Sequence, residues 1–330
     1  MSADKITIIA DSTQIQSFTE CPQEWYYNYR LHITKKDQKP KEAIEKGSYG
    51  HKLLELYYKD VSNGVQPVQA IENACGFDPD RHTNCSCGHA ESSHSSIVIS
   101  PETNLSTCRL CSGTDNYRHV FSPKPLPLSA PLRLQVQERF RVHCLANMVN
   151  DIRPHSAATV EVGFSERIYE DCEHLFVLEG KLDLLGRFNG IDAFMDHKFQ
   201  ERAHTLYKKK IQFRNYSMIT GVKLLIVNYI RFAKSAEKPL ERALIPYSTD
   251  EHTWWKSELI KIFKSMAAHL KSADRHGTLH HADSHRWGNC DGKWGSPCQY
   301  TDLCEERNLE HVKLIKIENN FMRKEEWRPW

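Results

Sequence analysis

The segment from Leu178 to Lys198 carries two β-favouring runs separated by Asn189-Gly190. This pattern predicts two antiparallel strands joined by a two-residue turn, because Asn-Gly accepts the positive φ angles a tight hairpin needs. Upstream, the apolar run Ile6 to Ala10 predicts an opening strand. Asp11-Ser12 then offers a cap for a helix over Gln14 to Tyr29, with Ile15, Phe18, Trp25 and Tyr26 turned inward. Lys41 to Asp60 predicts a second helix, with His51, Leu54 and Tyr58 on one stripe, and Leu132 to Ile152 a third. Cys144, within the third, reads as a small buried hydrophobe. Thr159 to Ile168 predicts a strand before the hairpin and Tyr207 to Leu224 an amphipathic helix after it. Leu225 to Phe232 and Ala243 to Tyr247 predict two more strands, and Thr253 to Ala273 a closing helix. This order predicts an α/β core with helices on the faces of a sheet.

The pattern fails between Cys75 and Pro131, where Cys, His, Ser, Asn and Pro dominate and the main apolar run is Ile97-Val98-Ile99. Such a segment reads as an insertion that cannot build its own core. Cys85-x-Cys87-Gly88-His89, His94 and Cys108-x-x-Cys111 match a small knuckle in which zinc replaces that core. A cysteine-bearing loop without metal is the simpler alternative.

Composition adds little to this picture. The chain has 330 residues, 26% charged, with a formal net charge of +2, so any nucleic-acid surface must be local. Lys35-Lys36, Lys208-Lys209-Lys210 and Arg323-Lys324 are the basic clusters. Met1 to Ser12 lacks a signal-peptide pattern, and the longest apolar stretch, Val222 to Ile230, is too short for a bilayer. A cytoplasmic protein with no membrane partner is expected. In that compartment eleven cysteines read as metal or cluster ligands rather than disulfides.

The candidate chemistry lies in the hairpin. Asp183 is on its first strand, and Asp196 and Lys198 share a face of the second because strand side chains alternate. Two carboxylates on adjacent strands can hold a hard cation such as Mg2+ or Mn2+, and a lysine beside them can orient water or stabilise charge on a phosphate. The alternative is a surface hairpin with a solvated Asp-x-Lys pair.

Five segments in order resemble the RecB-like branch of the PD-(D/E)XK nuclease superfamily, in particular its iron-sulfur exonucleases: the CRISPR-associated RecB-like exonuclease and AddB-type nuclease domains. Ser17-Phe18-Thr19-Glu20-Cys21-Pro22-x-x-Trp25-Tyr26-Tyr27 resembles the family's first helix. Gly47-Ser48-Tyr49-Gly50-His51 resembles its Gly-x-x-x-His motif. Gly180-Lys181-Leu182-Asp183 and Asp196-His197-Lys198 resemble its acidic motifs and lysine, and Gln212-x-x-x-Tyr216 its Gln-x-x-x-Tyr motif. Cys290, Cys298 and Cys304 resemble its late cluster cysteines, although Cys290 and Cys298 stand further apart than the family's close pair. The insertion has no counterpart in the minimal family pattern.

The resemblance implies a PD-(D/E)XK restriction-endonuclease-like core, a central mixed sheet flanked by helices. It implies that His51, Asp183, Asp196 and the backbone carbonyl of His197 hold Mg2+ or Mn2+, that Lys198 positions or helps deprotonate water, and that Gln212 and Tyr216 contact the strand or brace Lys198. Cys21, Cys290, Cys298 and Cys304 would bind a 4Fe-4S cluster stapling the chain ends, with zinc as the alternative metal. Glu161, in the strand before the hairpin, is a further acidic candidate whose simpler reading is a strand-surface carboxylate. The expected regions are an N-terminal helical region (1–74), the insertion (75–130), the nuclease core (131–275) and a cluster-binding region (276–330). The implied function is a metal-dependent exonuclease on single-stranded DNA ends, working with recombination, replication or CRISPR-adaptation proteins. Two alternatives are a catalytically silent nucleic-acid-binding or recombination-assembly subunit, against which the intact Asp183, Asp196 and Lys198 set argues, and a protein-interaction module acting through the insertion.

Overall fold

The computed structural model describes residues 5–36, 42–77, 105–106, 119–120, 128–200, 207–232, 240–276, 290, 297–305 and 310–323. Strand β1 (Ile6–Ala10) leads into α1 (Ser12–Glu20), which Asp11 caps by accepting the Gln14 N–H at 2.7 Å. The single helix expected from Gln14 to Tyr29 is instead broken into α1, α2 (Pro22–Trp25) and a π-helical turn (Tyr26–Arg30). Pro22 has no N–H to donate and disfavours helical backbone at the residue before it, so Cys21 is extended at φ −155° and ψ 105°.

Then come β2 (Ile33–Lys35), α3 (Glu42–Ser62) and α4 (Pro67–Cys75). Within the Cys/His-rich segment, β3 (Leu105–Ser106) pairs antiparallel with β4 (His119–Val120). Its zinc candidates Cys85, Cys87, His89, His94, Cys108 and Cys111 lie outside the described residues. Helix α5 (Ala130–Asn147) precedes β5 (Arg153–Pro154), β6 (Val160–Glu170), β7 (His174–Phe188) and β8 (Ile191–Gln200). The chain continues through α6 (Ile211–Thr220), β9 (Leu224–Arg231), β10 (Leu240–Pro246), α7 (Thr249–His276), α8 (Thr301–Glu305), α9 (Glu310–Asn320) and β11 (Phe321–Arg323). Helix α6 ends earlier than the expected Leu224 because Gly221 takes a left-handed φ of 69° and turns the chain out.

β7 is the longest strand, and four others pair with it. β5 and β6 run antiparallel to it, β8 does so through the hairpin, and β1 lies parallel to its first residues. β9 then lies parallel to β8 after the α6 crossover, and β10 closes the row antiparallel. The result is a seven-stranded mixed sheet flanked by helices. Asn189 and Gly190 take φ values of 49° and 80°, as the expected turn requires.

Alternation along β8 sorts the two faces. Ala193, Met195 and Phe199 pack with α3, α4 and α5, whereas Phe194 packs with Phe213 and Tyr216 of α6 on the opposite side. Asp196 and Lys198 share the parity of Phe194, so the sheet delivers them toward α6 and turns His197 toward α3 and α5. The described residues contain no helix long and apolar enough to cross a membrane.

The chain ends also meet. β2 pairs antiparallel with β11, and Tyr300 donates its hydroxyl to the Ile33 carbonyl at 2.7 Å. Tyr27, Tyr300 and Phe321 form an aromatic stack with centroids 5.3 and 5.8 Å apart.

Candidate active site

The hairpin opens where the candidate residues stand. β7 and β8 are in register from Phe188↔Ile191 to Leu184↔Met195 and then part. The next backbone donor on β8, the His197 N–H, goes to the Asp183 side chain, whose Oδ2 accepts it at 2.8 Å. Asp183 is thus fixed by a main-chain hydrogen bond that would otherwise have continued the ladder. Along β7, Leu178 and Leu182 pack on the α1 and α6 side, whereas Leu184 and Phe188, of the same parity, pack on the α3 side. The strand therefore changes face at Asp183.

Across the other edge of β7 the ladder runs from Val160↔Leu184 to Val162↔Leu182. Between these pairs Glu161 takes a φ of 56°, in the left-handed region that a side chain makes costly. Its carboxylate reaches His51 Nδ1 at 3.8 Å and Lys181 Nζ at 2.8 Å. The simpler surface reading of Glu161 does not hold. Sequence pattern gives no sign of this, because one left-handed residue inside a β-favouring run leaves no trace in hydrophobic spacing.

His51 comes from α3, which lies close to β8 because Gly50 has no side chain. A Cβ there would stand 2.4 Å from the Phe199 ring. Gly47, by contrast, has nothing within 4 Å of an added Cβ, so Gly50 is the glycine that the close approach requires. His51 Nδ1 is 3.3 Å from Asp183 Oδ2. Candidate ligand atoms of His51, Glu161 and Asp183 all lie within 4.8 Å of one another. Carboxylate oxygens with one imidazole form a donor set that fits Mg2+ or Mn2+.

Asp196 is 2% exposed and pairs with Lys198, its oxygens 2.8 and 2.9 Å from Nζ. Gln212 bridges from α6, with Nε2 3.4 Å from Asp196 Oδ1 and 3.2 Å from the Tyr216 hydroxyl. The two fall one turn apart and share a face. A cleft of about 440 Å³ adjoins them, lined in part by Asp11, Ser12, Lys181, Gln212 and Tyr216. The His197 ring points away from the site. It stacks on Tyr58 at 5.6 Å, and its Nδ1 meets Asn228, whose carbonyl accepts from Arg242 at 2.7 Å. Arg242 and Tyr58 both hold Asp151 at 2.8 Å, so a buried polar network braces β8 from behind.

Burial and charge act against each other here. Burial disfavours a charged His51, but Asp183 and Glu161 outweigh it and push its pKa up to about 9. Burial raises the Asp183 carboxyl, with His51 opposing and Asp196 and Glu161 adding to the rise. For Lys198, burial is outweighed by Asp196 and Asp183, so the ammonium is held above its ordinary value and remains charged.

A pH dependence follows. His51 is protonated below about 9, and a cation must displace that proton. Apparent Mn2+ affinity is therefore expected to rise about tenfold per pH unit between roughly 7 and 9, with about one proton released per ion. Titration calorimetry in two buffers of different ionisation heat measures both quantities. An affinity that does not change with pH would remove His51 from the ligand set.

A second group of side chains gathers at the chain ends. Cys21 and Cys304 are buried, and Cys290 and Cys298 are half-buried. The Cys298 N–H donates to the Cys290 carbonyl at 2.9 Å. Burial pushes the Cys304 thiol up, and Cys298, Cys21 and Cys290 each add to the rise, so all three lie near it. Thiolates are the soft donors that iron-sulfur clusters and zinc prefer, but among the described residues no three of these sulfurs share the 4.8 Å spacing that joins the ligand atoms of His51, Glu161 and Asp183.

Residues 12–85 match the family model of the PD-(D/E)XK nuclease superfamily. The chain matches no curated protein. Among solved structures it is similar to a "Putative exonuclease" from Eubacterium rectale, at 11% identity and a TM-score of 0.37, covering 78% of this chain and 81% of that one. It is also similar to the crystal structure of SSO0001, at 12% identity and a TM-score of 0.31, covering 54% of this chain and 72% of that one. The family match begins at α1 and runs past His51. Over that segment the chain is similar to the PD-(D/E)XK nuclease superfamily, and its His51 stands with Glu161 and Asp183 in the group that could hold a metal ion.

Proposed function

We propose that this protein is a metal-dependent deoxyribonuclease that works as an exonuclease on single-stranded DNA ends. The observation that carries the reading is the parting of β7 and β8, around which Asp183, Glu161, His51, Asp196 and Lys198 gather, with Lys181 and Gln212 joining Glu161 and Asp196 to the neighbouring cleft. In this reading His51, Asp183 and Asp196, joined by Glu161 and the His197 backbone carbonyl, hold Mg2+ or Mn2+. A divalent cation supplies charge neutralisation at the scissile phosphate and acidifies the attacking water.

Lys198, held above its ordinary value by Asp196 and Asp183 against the effect of burial, is placed to orient or help deprotonate the water and to face the negative charge that grows on the phosphate. Gln212 touches Asp196 and Tyr216, which fixes the lysine's partner and leaves an amide and a phenol along the cleft for the strand. The same reading assigns Cys21, Cys290, Cys298 and Cys304 to a 4Fe-4S cluster with a structural role. Residues 131–275 would be the catalytic core, and 276–330 with Cys21 the cluster region.

The test compares linear and circular single-stranded DNA, each with Mg2+, Mn2+ or EDTA. Linear strands are expected to shorten with either cation and remain intact in EDTA, while circles persist. Cleavage of circles would make the protein an endonuclease. No cleavage of any substrate by the metal-loaded protein would favour a silent nucleic-acid-binding subunit.

A further inference from the structure

On either side of the cleft residue Gln212, α6 carries basic residues that form, with the start of α7, a basic and aromatic ledge. Lys210 is half-buried at the start of α6, close enough to Lys198 for their charges to oppose each other. Lys208 and Lys209 lie exposed just before it. Arg214 follows on α6, and its Nε donates to the Lys208 carbonyl at 3.3 Å. Its guanidinium is 5.1 Å from the ring centroids of both Trp254 and Trp255, at the start of α7.

The two tryptophans differ. Trp255 is 5% exposed, and its indole N–H donates to Asn215 at 2.8 Å, so it belongs to the core. Trp254 is 51% exposed and shows much of its surface to solvent, with Arg214 against it. Acidic groups are present as well. Glu251 pairs with Lys208 at 2.8 Å, Asp250 is exposed beside it and the Asp196 carboxylate acts on Lys210, so Lys209 and Arg214 carry the excess positive charge.

We propose that this ledge binds a single-stranded polynucleotide, one base stacking on Trp254 and the adjoining phosphates lying against Lys209 and Arg214. The proposal takes its direction from the nuclease reading, since the ledge leads to Lys198. Charge complementarity selects an anionic polymer. An exposed indole backed by a guanidinium selects base faces, which are open in single strands and closed in duplexes. Stacking of this kind is tolerant of sequence, so the ledge would grip any strand.

The test is fluorescence anisotropy with a labelled oligothymidylate in EDTA, where no cleavage occurs. Trp254→Ala is expected to weaken binding about tenfold, and Trp254→Phe to stay within about threefold of wild type. Lys209→Ala is expected to lower the slope of log affinity against log salt by about 0.7. Binding of a duplex of the same length should be unchanged by Trp254→Ala. Wild-type affinity in Trp254→Ala, or equal losses for single strand and duplex, would overturn the proposal. Mn2+-dependent hydrolysis of bis(p-nitrophenyl) phosphate reports the catalytic site separately, and Trp254→Ala should match wild type there. If wild type fails to hydrolyse that ester, the nuclease reading is in question while the binding comparison still decides the ledge.

Discussion

Asp196→Asn and Lys198→Met are each expected to lower metal-dependent DNA cleavage by about 10³-fold or more, the scale seen when a charge facing the transition state or a proton-handling group is removed. Alanine is the poorer choice at both positions. Asp196 is 2% exposed and pairs with Lys198 at 2.8 Å, so removing either side chain leaves the other charge buried alone, which costs about 3–5 kcal/mol. Such variants confuse lost chemistry with lost fold, contrary to what a hairpin-surface position would suggest. Asn keeps the shape of Asp196 and an acceptor for Lys198, whereas Met keeps the packing of the lysine stem but leaves Asp196 without its partner, so Lys198→Met is compared only as folded protein. Asp183→Asn is the companion variant, because its amide oxygen can still accept the His197 N–H while its ligand charge is gone. Single-turnover cleavage alongside thermal unfolding separates the two effects. Wild-type rates in folded Asp196→Asn and Lys198→Met would remove these residues from the chemistry.

Cys304→Ala is expected to give the second large effect. Anaerobically purified wild-type protein should be brown with about four irons per chain. The variant should be colourless and unfold at a temperature lower by on the order of 10 °C, as losing several kcal/mol implies at this chain length. Cys144→Ala is the control, since Cys144 is buried against α3 and the sheet, in a different hydrophobic core from the one that holds Cys304 with Cys298 packed against it. It should keep its iron. The loss at Cys304 should fall short of global unfolding because β2, β11 and the Tyr27, Tyr300 and Phe321 stack hold the chain ends together without any metal. Colourless wild-type protein with bound zinc would overturn the cluster and leave the staple. Iron content unchanged in Cys304→Ala would overturn both.

Much of the fold was legible because it obeys local rules. Asn189-Gly190 can do little in a β-favouring context but turn tightly, and period-two alternation then places Asp196 and Lys198 on one face without reference to the rest of the chain. What was not legible depends on long-range or strained backbone. The parallel pairing of β1 with β7 joins residues 6–10 to residues 174–178, and no local pattern encodes it. Glu161 enters the site through a left-handed φ inside a strand, at a position where spacing predicts an ordinary surface carboxylate. The break after Cys21 was legible in principle, since Pro22 forbids the continuous helix that the apolar spacing on either side suggests. Trp254 and Arg214 come from different helices, so their contact exists only in the folded chain.

The two-residue turn at Asn189-Gly190 also governs how this protein can tolerate changes in length. Thirteen positions separate Asp183 from Asp196, and the ladder from Phe188↔Ile191 to Leu184↔Met195 converts that count into a spatial alignment. One residue added at the turn would shift β8 by one place. Asp196 and Lys198 would then face α3, and His197 would face α6. An addition of two would restore the faces but displace Asp196 along the strand by about 7 Å, beyond reach of Asp183. The spacing between these two carboxylates is therefore a counted quantity, and insertions and deletions within this stretch are excluded even where every individual side chain is kept.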